Sequence, residues 1–404
     1  MSSMSSKSRK TPPGWHVIGK HGVFPKANHD ETARFNFLTN LNMHVAQEVM
    51  PGVQSAYEKR ARPRFESDKG RPPATRQEVR RLMEADPYYQ TWSSLRRNIM
   101  EMRQQNGRSL AYRQWDQLNQ KAADLNSGST QLQLDPALPL PRYVSAVDIH
   151  CMPGCYYTEY CEDDVSVAAN YDSGIFVTTA GMLGKYSDGG GQAIVAWLHE
   201  QAKQGFKPKR ILDMGCTVGH NIVPIAQAFP ETEIVAVDVA APVLRYAHAR
   251  AKSLGVENIT FRQANAESLD YADGSFDLVI TCMFLHELSS TALPNVINET
   301  HRLTRAGGRV LHIEQPQFTD DMPLFEQFMR DWDSRNNNEP FWGTMHDIDV
   351  FALMENAGFA RSKLSSIGLT AVVDESLFPS AGDTDDAAED YGRKPAWHVY
   401  VAEK

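Results

Sequence analysis

The chain has 404 residues, 42% hydrophobic and 23% charged, which suits a soluble globular protein large enough for two domains. No apolar run approaches the ~20 residues that cross a bilayer, and the polar, basic start lacks the apolar stretch of a secretory signal, so no membrane partner is expected. The net charge of −9 is uneven: residues 1–120 hold 20 Lys and Arg against 11 Asp and Glu, and residues 121–404 hold 21 against 39.

Residues 1–28 read as a flexible start. A helix is expected over 30–58, with Asp30 as its cap; Phe35, Leu38, Leu41, Val45 and Val49 recur at three- and four-residue steps, and Pro51 should kink or break it. The proline-bearing run 61–75 reads as a linker. Further helices are expected over 76–85, over 88–105 with Asp86-Pro87 at the start, and over 109–125. Residues 29–141 thus form an all-helical N-terminal domain, closed by the polar and then proline-rich run 127–141. Its basic residues are scattered and not interleaved with aromatics, so docking on the acidic remainder is expected and a nucleic-acid partner is disfavoured.

Residues 142–191 connect this unit to the rest, with 142–150 read as a strand. Cys151, Cys155 and Cys161 follow at C-x3-C-x5-C spacing, which matches no zinc pattern, so no metal is expected there; a metal- or metalloid-thiol site is the alternative. Five cysteines in a long chain point to reduced thiols and a cytoplasmic setting.

Residues 210–238 read as strand, glycine turn, helix and strand. Asp213 ends the first strand, Gly215 and Gly219 flank the turn, and Asp238 ends the second strand. Glycine allows positive φ and close backbone approach. An acid at the second strand end suits the hydroxyls of a ribose. The run Asp213-x-Gly215-x-x-x-Gly219 differs from the G-x-G-x-x-G dinucleotide fingerprint. A carboxylate ahead of the turn repels a pyrophosphate and suits a ligand bearing an ammonium group.

This stretch resembles motif I of the class I S-adenosylmethionine-dependent methyltransferases, and the resemblance extends over residues 192–404. The run 259–267 looks like the third strand and adenine loop, 275–282 like the fourth strand, and 303–314 like the glycine turn and fifth strand. The resemblance implies an α/β Rossmann-like sheet with helices on both faces, and S-adenosyl-L-methionine as cofactor. It assigns cofactor contacts to Asp213, Gly215, Cys216, Thr217, Gly219, Asp238, Val239, Asn265, Ala266, Glu267, Cys282 and Tyr171. Thr217 stands where many relatives have glycine, and Asn265 where many have aspartate.

His286, just past the fourth strand and followed by Glu287, resembles the catalytic histidine of small-molecule O-methyltransferases. A neutral imidazole near pKa 6.5 is suited to accept a proton. The insertion 315–349 is expected to wall the substrate site as a lid with Trp332 and Trp342, joined by Glu314, Tyr157 and Tyr160. Aromatics with carboxylates suit a cationic acceptor, and a plain hydrophobic lid explains the aromatics equally well. The expected activity is methyl transfer to an O, N or S atom of a small-molecule substrate. The alternatives are action on RNA or a carrier protein through the basic helices, and methylation of a metal or metalloid at the cysteines. A homodimer is carried as an assembly that no motif tests.

Overall fold

The computed structural model describes residues 11–372, 374–377 and 396–404. Its strands are β1 (Leu132–Gln133), β2 (Arg210–Met214), β3 (Glu233–Asp238), β4 (Ile259–Gln263), β5 (Phe276–Cys282), β6 (Thr304–Ile313), β7 (Leu364–Thr370) and β8 (Ala396–Glu403). They form one sheet in the order β1-β4-β3-β2-β5-β6-β8-β7. From β1 to β6 each neighbouring pair is parallel; β8 runs antiparallel to both β6 and β7. Buried on both faces, the parallel strands are short apolar runs such as Ile234 to Val237. Chain order reverses between β2 and β5, so the crevice above their carboxyl ends is the switch point at which such sheets bind ligands.

Helices α1 (His29–His44), α2 (Met50–Ala56) and α3 (Arg62–Lys69) are joined through π turns at Val45–Val49 and Tyr57–Ala61. The helical path therefore runs through Pro51 and Pro63: of the kink or break expected at Pro51 there is no break, and the linker drawn from 61 begins only after Lys69. Each proline lies two residues past a π turn, where the widened turn relieves the clash of the ring with the preceding carbonyls. Asn28, not Asp30, caps α1: its side chain accepts from Glu31 N (2.9 Å) while Glu31 Oε2 accepts from Asn28 N (2.8 Å), a capping box. Then follow α4 (Arg76–Glu84), α5 (Pro87–Tyr112) and α6 (Trp115–Asn126); α5 absorbs the residues expected to open a separate helix at 109.

Residues 142–150 form no strand. They give the short helix α7 (Arg142–Ser145) and a 3-10 turn, Ile149–Cys151. Helix α8 (Ser166–Thr179) is buried along most of its length. Helices α9 (Gly189–Lys203), α10 (Ile222–Ala228) and α11 (Ala241–Ser253) pack on one face of the sheet. On the other lie α12 (Ala292–Leu303) and, past α13 (Leu324–Arg330), α14 (Trp332–Asn336) and α15 (Trp342–Asp347), the helix α16 (Val350–Asn356). No helix among the described residues is long and apolar enough to cross a membrane. Most of the acidic loop expected to be mobile over 377–394 lies outside the described residues.

The start of the chain is firmly packed from Trp15 onward. Trp15 stacks on Phe35 at 4.5 Å between centroids and donates its indole N–H to Ser173 O at 2.9 Å; Val23 and Phe24 are buried. A flexible start is therefore corrected over this part of 11–28. Phe328 and Trp332 of the insertion join the same apolar core as Phe35, Val53 and Trp92. Around that core, Arg76 pairs with Asp347 (2.6 Å), Arg96 with Asp333 (3.0 Å) and Arg80 with Asp331. The basic helices thus dock on acids of the insertion. Burial outweighs the exposed pairing here: a fully buried large apolar side chain contributes ~1.5–3 kcal/mol, whereas an exposed ion pair gives ~0–1.

Candidate active site

The first half of the site grows out of β2 and β3. Gly215 (φ 78), Thr217 (φ 45) and Gly219 (φ 77) turn the chain through left-handed conformations. At Gly215 a Cβ would sit 2.4 Å from the Phe284 ring, so only glycine fits against that ring. Thr217 holds a conformation that costs a β-branched residue. Its N–H donates to Asp238 Oδ2 (3.0 Å), and Gly215 and Cys216 donate to Val237 O (2.9 and 3.1 Å). The loop is thereby tied to the neighbouring strand.

Asp213 and Asp238 face one cavity of about 960 Å³. Burial, then the Asp238 charge, pushes Asp213 up to about 7; burial raises Asp238 to about 6 against hydrogen bonds from backbone N–H groups that favour its charge. Two carboxylates side by side offer a diphosphate no cationic partner, and an added anion would push both further toward the protonated form. They fit a ligand that brings a cationic amino group and vicinal hydroxyls, which is the chemistry of an amino-acid nucleoside. Cys216, Val239 and Cys282 also line this end.

Tyr171 forms the facing wall, stacked on His220 at 5.9 Å. Beneath it, Asp172 accepts from Tyr246 Oη (2.7 Å) and pairs with His220 Nε2 (2.7 Å) and His21 Nε2 (2.8 Å). Burial alone would raise Asp172; the two histidines hold it well below the usual carboxylate range.

The second half lies past β5. His286, in the 3-10 turn Leu285–Glu287, is 2% exposed. Its Nδ1 is 2.7 Å from Glu314 Oε1, and its backbone N–H donates to Glu314 Oε2 (3.2 Å). That clamp leaves Nε2 near Glu287 Oε1 (3.7 Å) and Glu339 Oε2 (3.9 Å), with the Trp342 ring edge-on at 4.6 Å. Burial would lower the His286 pKa, but Glu314 first, then Glu287 and Glu339, raise it to about 9. This runs against the neutral base near 6.5 expected from the sequence: the three surrounding carboxylates favour the protonated ring.

His150 closes this end. Its Nδ1 is 3.0 Å from Glu339 Oε1 and its Nε2 is 3.2 Å from Glu287 Oε1. Tyr156 meets it edge-on at 6.1 Å. From here the cavity runs outward between α1–α2 and α13, lined by Met43, Val45, Met50, Phe325 and Met329.

The structure therefore brings Asp213, Gly215, Cys216, Thr217, Asp238, Val239, Cys282, Tyr171, His286, Glu287 and Trp342 to one cavity. Other expected residues stand apart from it. Gly219 begins the turn into α10. Asn265, Ala266 and Glu267 lie past β4, where Glu267 takes bonds from Tyr143 (3.2 Å) and Asn295 (2.9 Å). Glu314 sits behind His286. Three substrate-wall assignments are corrected because local packing claims the rings. Tyr160 is 48% exposed and packs on Tyr112 and Trp115. Tyr157 lines a separate surface hollow near Leu134 and Arg245. Trp332 is buried against Trp92 and donates to Ser93 Oγ (2.8 Å). The three nearby thiols do not form a cluster: Cys151 contacts Asn336 O and Asn337, Cys155 is buried, and Cys161 is exposed beside Asn119.

Sequence reasoning missed His150, Tyr156 and Glu339 as site residues. His150 falls at the end of the run read as a strand, and Tyr156 adjoins Tyr157, the tyrosine expected at the site. Glu339 lies in the 315–349 insertion, where carboxylates beside aromatics were the local signal.

Residues 211–308 match the family described as Methyltransferase domain. The chain is 31% identical over 121 residues to the uncharacterized methyltransferase YcgJ of Bacillus subtilis (strain 168), covering 30% of this chain and 45% of that one. It is 31% identical over 109 residues to the demethylmenaquinone methyltransferase of Thermus thermophilus, covering 27% and 48%. Against the ubiquinone/menaquinone biosynthesis C-methyltransferase UbiE of Rhizobium meliloti it is 25% identical over 214 residues, covering 48% and 79%. The chain spans about half the length of the first two. Among solved structures, a putative methyltransferase from Bacillus halodurans C-125 matches with a TM-score of 0.36 at 18% identity, covering 52% of this chain and 97% of that one.

Proposed function

We propose, starting from the fact that residues 211–308 form a class I S-adenosylmethionine-dependent methyltransferase domain, that the protein methylates a small molecule held in the cavity between that domain and its helical cap. S-adenosylmethionine supplies an electrophilic methyl group on a sulfonium. Asp238 is placed to accept from ribose hydroxyls, Asp213 attracts the ammonium end, and the bare backbone at Gly215 admits the ligand beside Phe284. Tyr171 closes the opposite wall.

The observation that carries this reading is the single cavity joining Asp213 and Asp238 to His286. His286 Nε2–H is the oriented donor toward the acceptor, because Glu314 fixes the other ring nitrogen. The cap and Trp342 exclude water and hold the acceptor in line, which is most of what such a displacement requires. The C-methyltransferase among the relatives adds carbon to O, N and S as atoms that could be methylated. Glu287 and Glu339 beside Trp342 favour an acceptor with a polar or cationic head, and the methionine-lined outer arm suits an apolar remainder.

Incubating the protein with methyl-labelled cofactor and cell extract, then identifying the labelled product by mass, tests the reading. A product dependent on His286 supports it. Tight cofactor binding with no labelled product from any extract would count against catalysis.

A further inference from the structure

At the methyl-facing end, three side chains from distant parts of the chain converge. His150 comes from the turn after α7, Glu287 from the turn after β5, and Glu339 from the insertion. One ligand atom from each lies within 4.8 Å of the others. Glu339 is 2% exposed, and its Oε2 has no hydrogen-bond partner. A buried carboxylate oxygen left without a donor is costly; His286 Nε2 stands 3.9 Å off, beyond hydrogen-bond reach, so this atom can still take a cation.

His150 Nε2 and Glu287 Oε1, 3.2 Å apart, can share an ion, and Glu339 can bring a carboxylate oxygen to it once it releases His150 Nδ1, 3.0 Å away; Asn337 Nδ2 donates to Glu339 Oε1. Two ligands each ~2.0–2.2 Å from a metal and at about right angles stand roughly 3 Å apart, close to the separation seen for His150 and Glu287. His286 Nε2–H flanks both acids, at 3.7 and 3.9 Å, and can donate to a carboxylate or another acceptor bound at the ion.

We propose that His150, Glu287 and Glu339 form a divalent-cation site with open coordination positions facing the cavity. The mixed nitrogen and carboxylate donor set suits Mn2+, Fe2+ or Zn2+ better than Ca2+ or Mg2+, which take oxygen ligands. Such an ion would hold oxygen atoms of the acceptor beside His286. This role rests on the methyl-transfer reading; binding of the ion does not.

The test uses the full chain, stripped with a chelator and titrated with Mn2+ while free Mn2+ is followed by electron paramagnetic resonance, with no methyl donor present. A single saturable Mn2+ displaced by Zn2+ is expected. Glu339→Gln should weaken it roughly tenfold or more, and Glu287→Gln, at the half-open rim, should do the same if the first variant does not fold. Absence of saturable Mn2+ and Zn2+ binding to the wild-type chain overturns the proposal. So does unchanged affinity in folded variants, or saturation by tetramethylammonium in place of the metal. Because ion binding is read directly, a failed methyl-transfer assay leaves this result standing, and the reverse also holds.

Discussion

The two halves of the cavity are built in different ways. In the sheet half, both acids and the glycine turn belong to one continuous stretch: Thr217 N, in the loop after β2, bonds Asp238 at the end of the adjacent parallel strand β3, 21 residues on. In the cap half, nothing is local. His150 meets Glu287 and Glu339, which lie in separate segments far along the chain, and α5 binds the insertion through Arg97 to Asn336 O, 239 residues away. A backbone framework suffices to grip an invariant nucleoside. The proposed acceptor pocket depends on tertiary convergence, so substitution there should change specificity without touching the cofactor grip.

The sharpest division should come from His286→Ala. Loss of a preorganised donor at the reacting atom costs ~100- to 1,000-fold in turnover, while calorimetric affinity for S-adenosylmethionine should hold. A fall in both together would mean that the halves are not separable. Next comes the joint between cap and insertion. Arg80 and Asp331 are both buried, and removing one partner of a buried pair costs ~3–5 kcal/mol. Asp331→Ala should therefore lower urea-unfolding stability by about that much. Arg76→Ala should cost under ~1 kcal/mol, since Asp347 is more than half exposed. Equal losses would show that burial does not decide the joint.

That division also explains what the sequence disclosed. Strand, glycine turn and acid are short-range patterns, so β2 to β6, Asp213, Asp238 and the position of His286 could be read in order along the chain. Pro51 misled because a π turn, a distortion with no composition of its own, absorbs the ring. β1 was missed because two residues in a polar linker carry no period; they pair only because β4 offers an open edge. Tyr160 and Trp332 were placed in the site on residue type alone, and type does not tell which neighbour a ring will meet. Glu339 acquires its role only when the insertion folds back onto His150.

Within the sheet half, Asp238→Ala should weaken cofactor binding by roughly 10- to 100-fold, the range for a charged hydrogen-bonding group worth ~1.5–3 kcal/mol. It also frees Thr217 N, so part of any loss reflects the loop itself; Asp238→Asn separates the two.

The finest test is of pH. Asp213 is raised to about 7 by burial and by Asp238, so its charged form is incomplete just below neutrality. The cationic ligand prefers that charged form. Affinity measured by calorimetry should be flat above about 7 and fall by up to about tenfold per unit as pH drops below it. Stability of the unliganded chain should take the opposite slope from this group. A carboxyl whose folded pKa exceeds its unfolded value binds more protons when folded, so its contribution is present at low pH and is lost as pH rises from about 4 to about 7. Other carboxylates, such as Glu314 and Asp172, are lowered and act the other way, so the quantity to compare is the difference between wild type and Asp213→Asn. That difference should favour the variant in unliganded stability at pH 7.5 and the wild type in cofactor affinity. If both profiles keep their shape in Asp213→Asn, the carboxylate ahead of the glycine turn is not what the ammonium group meets.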